Sequence, residues 1–130
     1  MQLRTEEEVK KWMRGLALLK KDLQMKIGFY HDLERIDRLA GNDKKNERYY
    51  REQIQRLQDK LHNLAADVER VLEALDPDER AVLTARYIQN YMWDAMEFHV
   101  YFSRRQAIRI HNRAIRRLVG TVVGEEAYHG

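Results

Sequence analysis

The stretch SRRQAIRIHNRAIRRL, residues 103–118, contains six arginines and no acidic residue. Ser103 is a favourable helix N-cap, and Gln106 three residues later completes a capping box. Apolar residues then recur with the spacing of one helix face, at Ala107, Ile110, Ala114 and Leu118. We therefore predict an amphipathic helix with one buried stripe and arginines on its other faces.

A basic helix of this kind has two interpretations, a solvated surface helix or a helix that enters a DNA major groove. Arginine suits the edge of guanine and glutamine suits that of adenine. For the DNA interpretation, the predicted base-contacting residues lie in the first turns: Arg104, Arg105, Gln106 and Arg109. The predicted phosphate-contacting residues are Ser103, Asn112, Arg113, Arg116 and Arg117.

The preceding segment favours DNA binding. The run Asp-Pro-Asp-Glu at 76–79 is a strong helix start, which predicts a helix over about 77–89. A turn at 89–92, a short helix at 93–99 and a turn at 100–102 then lead into the basic helix. This order of elements is typical of a helix-turn-helix.

Aromatic residues cluster around the predicted turn: Trp93, Phe98, Tyr101 and Phe102. Such residues stack on the bases of single-stranded nucleic acid in some proteins. In a small helix-turn-helix they fill space in the core, and we predict that role for all four.

Two long helices are predicted before residue 76. Thr5 and Glu8 form a capping box that starts the first helix, and the segment 41–46 breaks it. The second helix starts near Glu47 and carries a heptad seam of apolar residues: Tyr50, Ile54, Leu57, Leu61, Leu64, Val68, Val71 and Leu75. Either an antiparallel hairpin within one chain or a coiled-coil homo-oligomer, with a dimer favoured, would bury this seam.

Composition excludes several classes of protein. The chain of 130 residues has no cysteine, which excludes disulfides and thiolate metal sites. The five histidines have no zinc-site spacing, and no catalytic or phosphate-binding motif occurs, so we expect no metal, no cofactor and no enzymatic activity. No apolar run approaches the ~20 residues that span a bilayer. We expect a cytoplasmic protein of a bacterial host cell that has no membrane contact.

The net charge of +3 is unevenly distributed. Residues 1–75 have a net charge of +2 from a mixture of both signs, residues 76–118 have +3, and residues 119–130 have −2. The positive field is therefore concentrated in the basic helix, as expected of a nucleic-acid-binding segment.

Residues 79–118 resemble region 4 of bacterial sigma factors. The matching features are Glu79-Arg80, Val82-Leu83, Arg86-Tyr87, Trp93, Met96, Ser103-Arg104-Arg105 and Ala114-Ile115-Arg116-Arg117-Leu118. The sequence departs from the family at Glu97, where a small residue is usual, and at Tyr101, where glycine is usual. Nothing resembles sigma region 2, so the chain is not a complete sigma factor.

A helical N-terminal half joined to such a segment is similar to phage late-transcription activators of the ArpU and RinA type. That resemblance implies a sequence-specific activator that binds double-stranded DNA and contacts host RNA polymerase. The alternative is an assembly protein, either small-terminase-like in DNA packaging or polymerase-binding. We predict an all-α fold with a helical hairpin or coiled coil at 1–75, a helix-turn-helix at 76–119 and a short flexible tail at 120–130.

Overall fold

The computed structural model describes residues 1–41 and 46–124, and the regular secondary structure of these residues is helical. Helix α1 spans Glu6–Leu39 and helix α2 spans Glu47–Leu72. Three shorter helices follow: α3 at Pro77–Leu83, α4 at Met96–Val100 and α5 at Arg104–Leu118. The predicted all-α class is confirmed. Residues 42–45 of the predicted break lie outside the described residues.

The predicted helix starts are confirmed by their hydrogen bonds. At the start of α1, the Thr5 hydroxyl accepts from the backbone N–H of Glu8 at 3.1 Å, and the Glu8 carboxylate accepts from the backbone N–H of Arg4 at 2.6 Å. At the start of α3, Pro77 occupies the first turn, and the Glu79 carboxylate accepts from the backbone N–H of Asp76 at 2.9 Å. These side chains satisfy N–H groups that a helix start leaves without an intrahelical partner.

The predicted helix over 77–89 changes its geometry near its end. Residues Thr84–Ile88 form a π-helical turn, in which the N–H of Gln89 donates to the carbonyl of Thr84 at 2.9 Å. Asn90 then adopts a left-handed conformation with φ 60° and stops the helix. The predicted short helix at 93–99 is a 3-10 turn at Trp93–Ala95 that continues into α4.

Two compact units divide the chain differently from the predicted boundary at residue 75. Met1–Leu19 and Asp67–Gly130 form the first unit, so the first turns of α1 and the end of α2 belong with α3, α4 and α5. Its largest fully buried side chains come from all of these segments: Leu3, Val9, Trp12, Met13, Val71, Val82, Leu83, Met96, Ile115, Leu118 and Val123. The short helices therefore share one core with the ends of the long helices.

The first residues of the predicted tail are tied to the N-terminus within the first unit. The N–H of Leu3 donates to the carbonyl of Thr121 at 2.8 Å, and Gln2 and Val122 form an isolated antiparallel bridge. The terminal amine of Met1 donates to the carbonyl of Val123 at 2.9 Å. Residues 120–124 thus lie against the start of the chain, whereas residues 125–130 lie outside the described part.

The second unit, Lys20–Ala66, contains the remainder of α1 and most of α2. The hydroxyl of Tyr50 donates to the carboxylate of Asp37 at 2.9 Å, and the ring of Tyr30 lies 6.4 Å from that of Tyr50. Leu23, Ile54 and Leu57 are buried in this unit. The two helices therefore contact each other through aromatic and apolar side chains.

The predicted heptad seam of α2 is covered within a single chain. Five of its residues are buried, namely Tyr50, Ile54, Leu57, Val71 and Leu75. The other three, Leu61, Leu64 and Val68, are half-buried. The single chain covers most of the seam, and self-association through it stays a prediction.

A second apolar strip, on α1 within the second unit, is exposed. It consists of Met25, Phe29, Ile36 and Leu39, whose side chains are 57 to 84% exposed. Steps of four, seven and three residues place them along one heptad line of the helix. No helix among the described residues has the length and apolarity to cross a membrane.

Candidate nucleic-acid interface

Helix α5 begins with the predicted capping box. The Ser103 hydroxyl accepts from the backbone N–H of Gln106, and the Gln106 carboxamide oxygen accepts from the backbone N–H of Ser103, both at 3.2 Å. The buried face consists of Ala107, Ile110, His111, Ala114, Ile115 and Leu118. It contains the predicted apolar stripe and is widened by His111 and Ile115.

The opposite face of α5 carries the outward row, which consists of Arg105, Arg109, Asn112 and Arg116, all exposed. Their 4-3-4 spacing places the four side chains on one side of the helix. Within residues 1–41 and 46–124, no carboxylate lies at ion-pair distance from the three arginines of the row. Their positive charge is therefore available to a ligand.

Two other predicted base-contacting residues are exposed and have partners inside the protein. The guanidinium of Arg104 lies 2.9 Å from the carboxylate of Asp94, and both side chains are more than 60% exposed. An ion pair this exposed contributes little to stability and is easily exchanged for another partner. The carboxamide oxygen of Gln106 is used in the capping box, which leaves its NH2 group as the free donor.

Arg113 and Arg117, which the sequence predicts as phosphate contacts, are bound to carboxylates of the same chain. Arg113 lies 2.8 Å from Asp78 and 3.2 Å from Glu79, and Arg117 lies 3.0 Å from Asp76 and 2.7 Å from Glu79. We call these five residues the carboxylate clamp. The clamp joins the last two turns of α5 to the first turn of α3.

The burial of Glu79 distinguishes the clamp from an exposed ion pair. Glu79 is fully buried, whereas the side chains of Arg113 and Arg117 remain 45% and 48% exposed. Hydrogen bonds to Glu79 raise the pKa of both arginines above the ordinary value. Burial alone would raise the pKa of Asp78, but hydrogen bonds from Arg113 and from the backbone lower it below the usual value. The clamp is thus an ionised network in which a buried charge has two partners.

The three carboxylates of the clamp lie close enough together to resemble a cation site. Oxygens of Asp76, Asp78 and Glu79 fall within 4.8 Å of one another. The two guanidiniums already neutralise this cluster. We therefore regard it as an intramolecular ion-pair network.

His111 is the buried polar residue of α5. Its Nδ1 lies 2.9 Å from the side-chain oxygen of Asn112, and its Nε2 lies 2.7 Å from the hydroxyl of Tyr87. Burial lowers the pKa of His111, against the effect of the hydrogen bond to Asn112, and the nearby positive charges lower it further. A neutral ring that donates from Nδ1 and accepts at Nε2 satisfies both neighbours. The NH2 group of Asn112 takes no part in this chain of hydrogen bonds.

The four aromatic residues around α4 divide into two pairs. Trp93 and Phe102 are partly buried and pack against the cluster of Val82, Ala85, Met96, Ala107 and Ile110, as predicted. Phe98 and Tyr101 are 76% and 94% exposed, so the prediction of a core role is wrong for these two. Hydrophobic type alone does not distinguish a core aromatic residue from a surface one on a helix of five residues.

The sequence gives no signal for the carboxylate clamp beyond the predicted capping role of Glu79.

Compared with known protein families, curated proteins and solved structures, the chain matches none. The geometry of α5 and its neighbours is therefore the basis for a functional proposal.

Proposed function

We propose that the segment from α3 to α5 is a helix-turn-helix and that the protein is a sequence-specific regulator that binds double-stranded DNA. The outward row is the observation that carries this proposal. It presents three arginines that have no carboxylate partner within residues 1–41 and 46–124, on the side of α5 opposite its buried face. A helix of 15 residues is about 22 Å long, and the helix diameter of about 10 to 12 Å fits a major groove about 12 Å wide.

The residues of α5 divide into three proposed roles. Base contacts come from the N-terminal turns, through Arg104, Arg105, Gln106 and Arg109, because that end of a recognition helix inserts deepest. Phosphate contacts come from Ser103, Asn112 and Arg116. Arg113 and Arg117 orient α5 through the carboxylate clamp, because their guanidiniums are held by Asp78, Glu79 and Asp76. This last assignment replaces the phosphate contacts that the sequence suggested for them.

The biological setting of the proposal comes from the resemblance of residues 79–118 to sigma region 4. On that basis we propose an activator of phage or prophage late genes that works with the host RNA polymerase. The resemblance and the helical N-terminal half support this setting, and the DNA-binding proposal rests separately on the outward row.

The second candidate function is assembly, as in a small-terminase-like packaging component. The exposed strip of Met25, Phe29, Ile36 and Leu39 favours it, because apolar strips of heptad spacing are typical of helix partners. This strip also offers a surface for a homodimer, as do the half-buried seam residues Leu61, Leu64 and Val68 of α2. The mass in solution separates the candidates: a monomer or dimer favours a regulator, and a ring of eight or more favours packaging.

The experiment that tests the DNA-binding proposal is selection from a pool of genomic fragments. The protein is mixed with the pool at moderate salt, bound fragments are sequenced, and the enriched positions are mapped relative to promoters. We expect enrichment of a short shared sequence near a few promoters. Recovery that follows fragment length alone would contradict sequence-specific binding.

A further inference from the structure

Tyr101, which follows α4, has a backbone conformation that is unusual for its residue type. Its φ of 60° and ψ of 24° lie in the left-handed region. Glycine adopts this region freely, whereas a residue with a Cβ meets steric resistance there. Among the described non-glycine residues, only Asn90 shares a positive φ, and asparagine is one of the types that tolerate it. A bulky aromatic residue at this helix end therefore needs a reason.

The fold does not supply that reason through packing. The side chain of Tyr101 is 94% exposed, and its hydroxyl and ring have no hydrogen bond or ring contact with the described residues. Phe98, one helical turn earlier, is 76% exposed. Strained backbone conformations cluster at positions where a side chain serves a ligand.

The position of Tyr101 indicates which ligand. It lies two residues before Ser103, the N-cap of α5, and three and four residues before Arg104 and Arg105. Tyrosine hydroxyls donate to DNA phosphates, and the adjacent arginines supply a positive field that attracts the same groups. An exposed aromatic residue beside these cations matches a polyanion better than it matches an apolar protein surface.

We infer that Tyr101 is a DNA contact, with its hydroxyl donating to a backbone phosphate at the edge of the groove that α5 enters. This inference rests on the proposed DNA-binding function. The left-handed residue ends α4 two positions before the N-cap of α5, and its side chain stays exposed. The protein then retains a tyrosine with a strained backbone at a position where glycine would relieve the strain.

If Tyr101 contacts DNA, replacing it with glycine should change stability and binding in opposite directions. Tyr101→Gly relieves the backbone strain and removes the contact, so we expect a higher melting temperature together with weaker binding to the selected duplex. The affinity should fall about tenfold, the range of one hydrogen bond to a charged group. Tyr101→Phe keeps the ring and the strain, and we expect it to lose most of that affinity without a change in melting temperature.

Two further variants complete the test by thermal melting and duplex titration. Met92→Ala removes another exposed apolar side chain of the same unit and should change neither quantity. Arg109→Ala reports on the proposed function independently. If Arg109→Ala weakens binding while Tyr101→Gly and Tyr101→Phe do not, the inference fails and the proposed function stands. If none of them weakens binding, the proposed function fails. A lower melting temperature for Tyr101→Gly would overturn the argument from strain.

Discussion

The arginines of α5 fall into two groups that differ in their surroundings although they belong to one helix. Arg105, Arg109 and Arg116 in the outward row have no carboxylate partner among the described residues, whereas Arg113 and Arg117 are held by the carboxylate clamp. The sequence shows one basic run of six arginines. The structure shows that about half of this charge is available to a ligand and that two arginines hold the helix in place.

The clamp explains how a helix this basic keeps a defined orientation. The carboxylate of Glu79 accepts hydrogen bonds from the backbone N–H of Asp76 and from the guanidiniums of Arg113 and Arg117. This one buried group therefore joins α3 and α5. A buried carboxylate without such partners would be strongly destabilising. The arginines that face α3 therefore determine where the outward row points.

The largest expected effect comes from breaking the clamp at its buried member. Glu79→Gln keeps the shape of the side chain but leaves two guanidiniums without their shared charge. Because both arginines are half-exposed and can be hydrated, we expect the free energy of unfolding to fall by about 2 to 3 kcal/mol, slightly below the usual cost of breaking a fully buried pair. Urea denaturation measures this change.

The matched control for that variant is Glu97→Gln, which neutralises an exposed acid on α4 and should leave stability within about 0.5 kcal/mol of the parent. Equal stability of the two variants would show that the clamp contributes nothing to the fold. The claim that Arg113 and Arg117 stabilise the fold, unlike the arginines of the outward row, would then be wrong.

The contrast between these groups also shows where sequence reasoning works. Helix starts were predictable because capping boxes at Thr5, Asp76 and Ser103 are local patterns of three or four residues. The partners of Arg113 and Arg117 lie 34 to 41 residues away, and no local pattern connects them. Tertiary packing decides which charged residues meet, so identical residue types in one helix acquire different roles.

The division into units was missed for the same reason. A heptad seam predicts that a helix needs a partner, but it does not say which part of the chain supplies it. The structure places Met1–Leu19 and the end of α2 in one unit with the short helices. Burial in this unit lowers the pKa of His111 in α5, and the charges of Lys10, Arg86 and Arg14 lower it further, two of them from α1.

A smaller effect is expected from the outward row, on binding and not on stability. Arg109→Ala removes a proposed base contact in the second turn of α5, where a bidentate arginine contributes about 1 to 3 kcal/mol of discrimination. We expect weaker binding to the selected duplex, relaxed preference at one or two base pairs and unchanged melting. Titration with selected and scrambled duplexes measures it. Equal losses on both duplexes would reassign Arg109 to phosphate contact.

The smallest expected effects come from substituting two neighbouring arginines. One belongs to the outward row and the other to the carboxylate clamp, so the pair tests the difference between the two groups directly. Arg116 is exposed and belongs to the outward row, and Arg117 belongs to the clamp. Arg116→Ala should leave stability unchanged and reduce the slope of log K against log salt by about one, because one phosphate contact is lost. Arg117→Ala should lower the free energy of unfolding by about 1 kcal/mol, since Glu79 loses one of two partners. Its salt slope should stay that of the parent, measured below the melting transition. The opposite pattern, with a reduced slope for Arg117→Ala and lost stability for Arg116→Ala, would contradict the division of α5 into a face that binds DNA and a face that holds the fold.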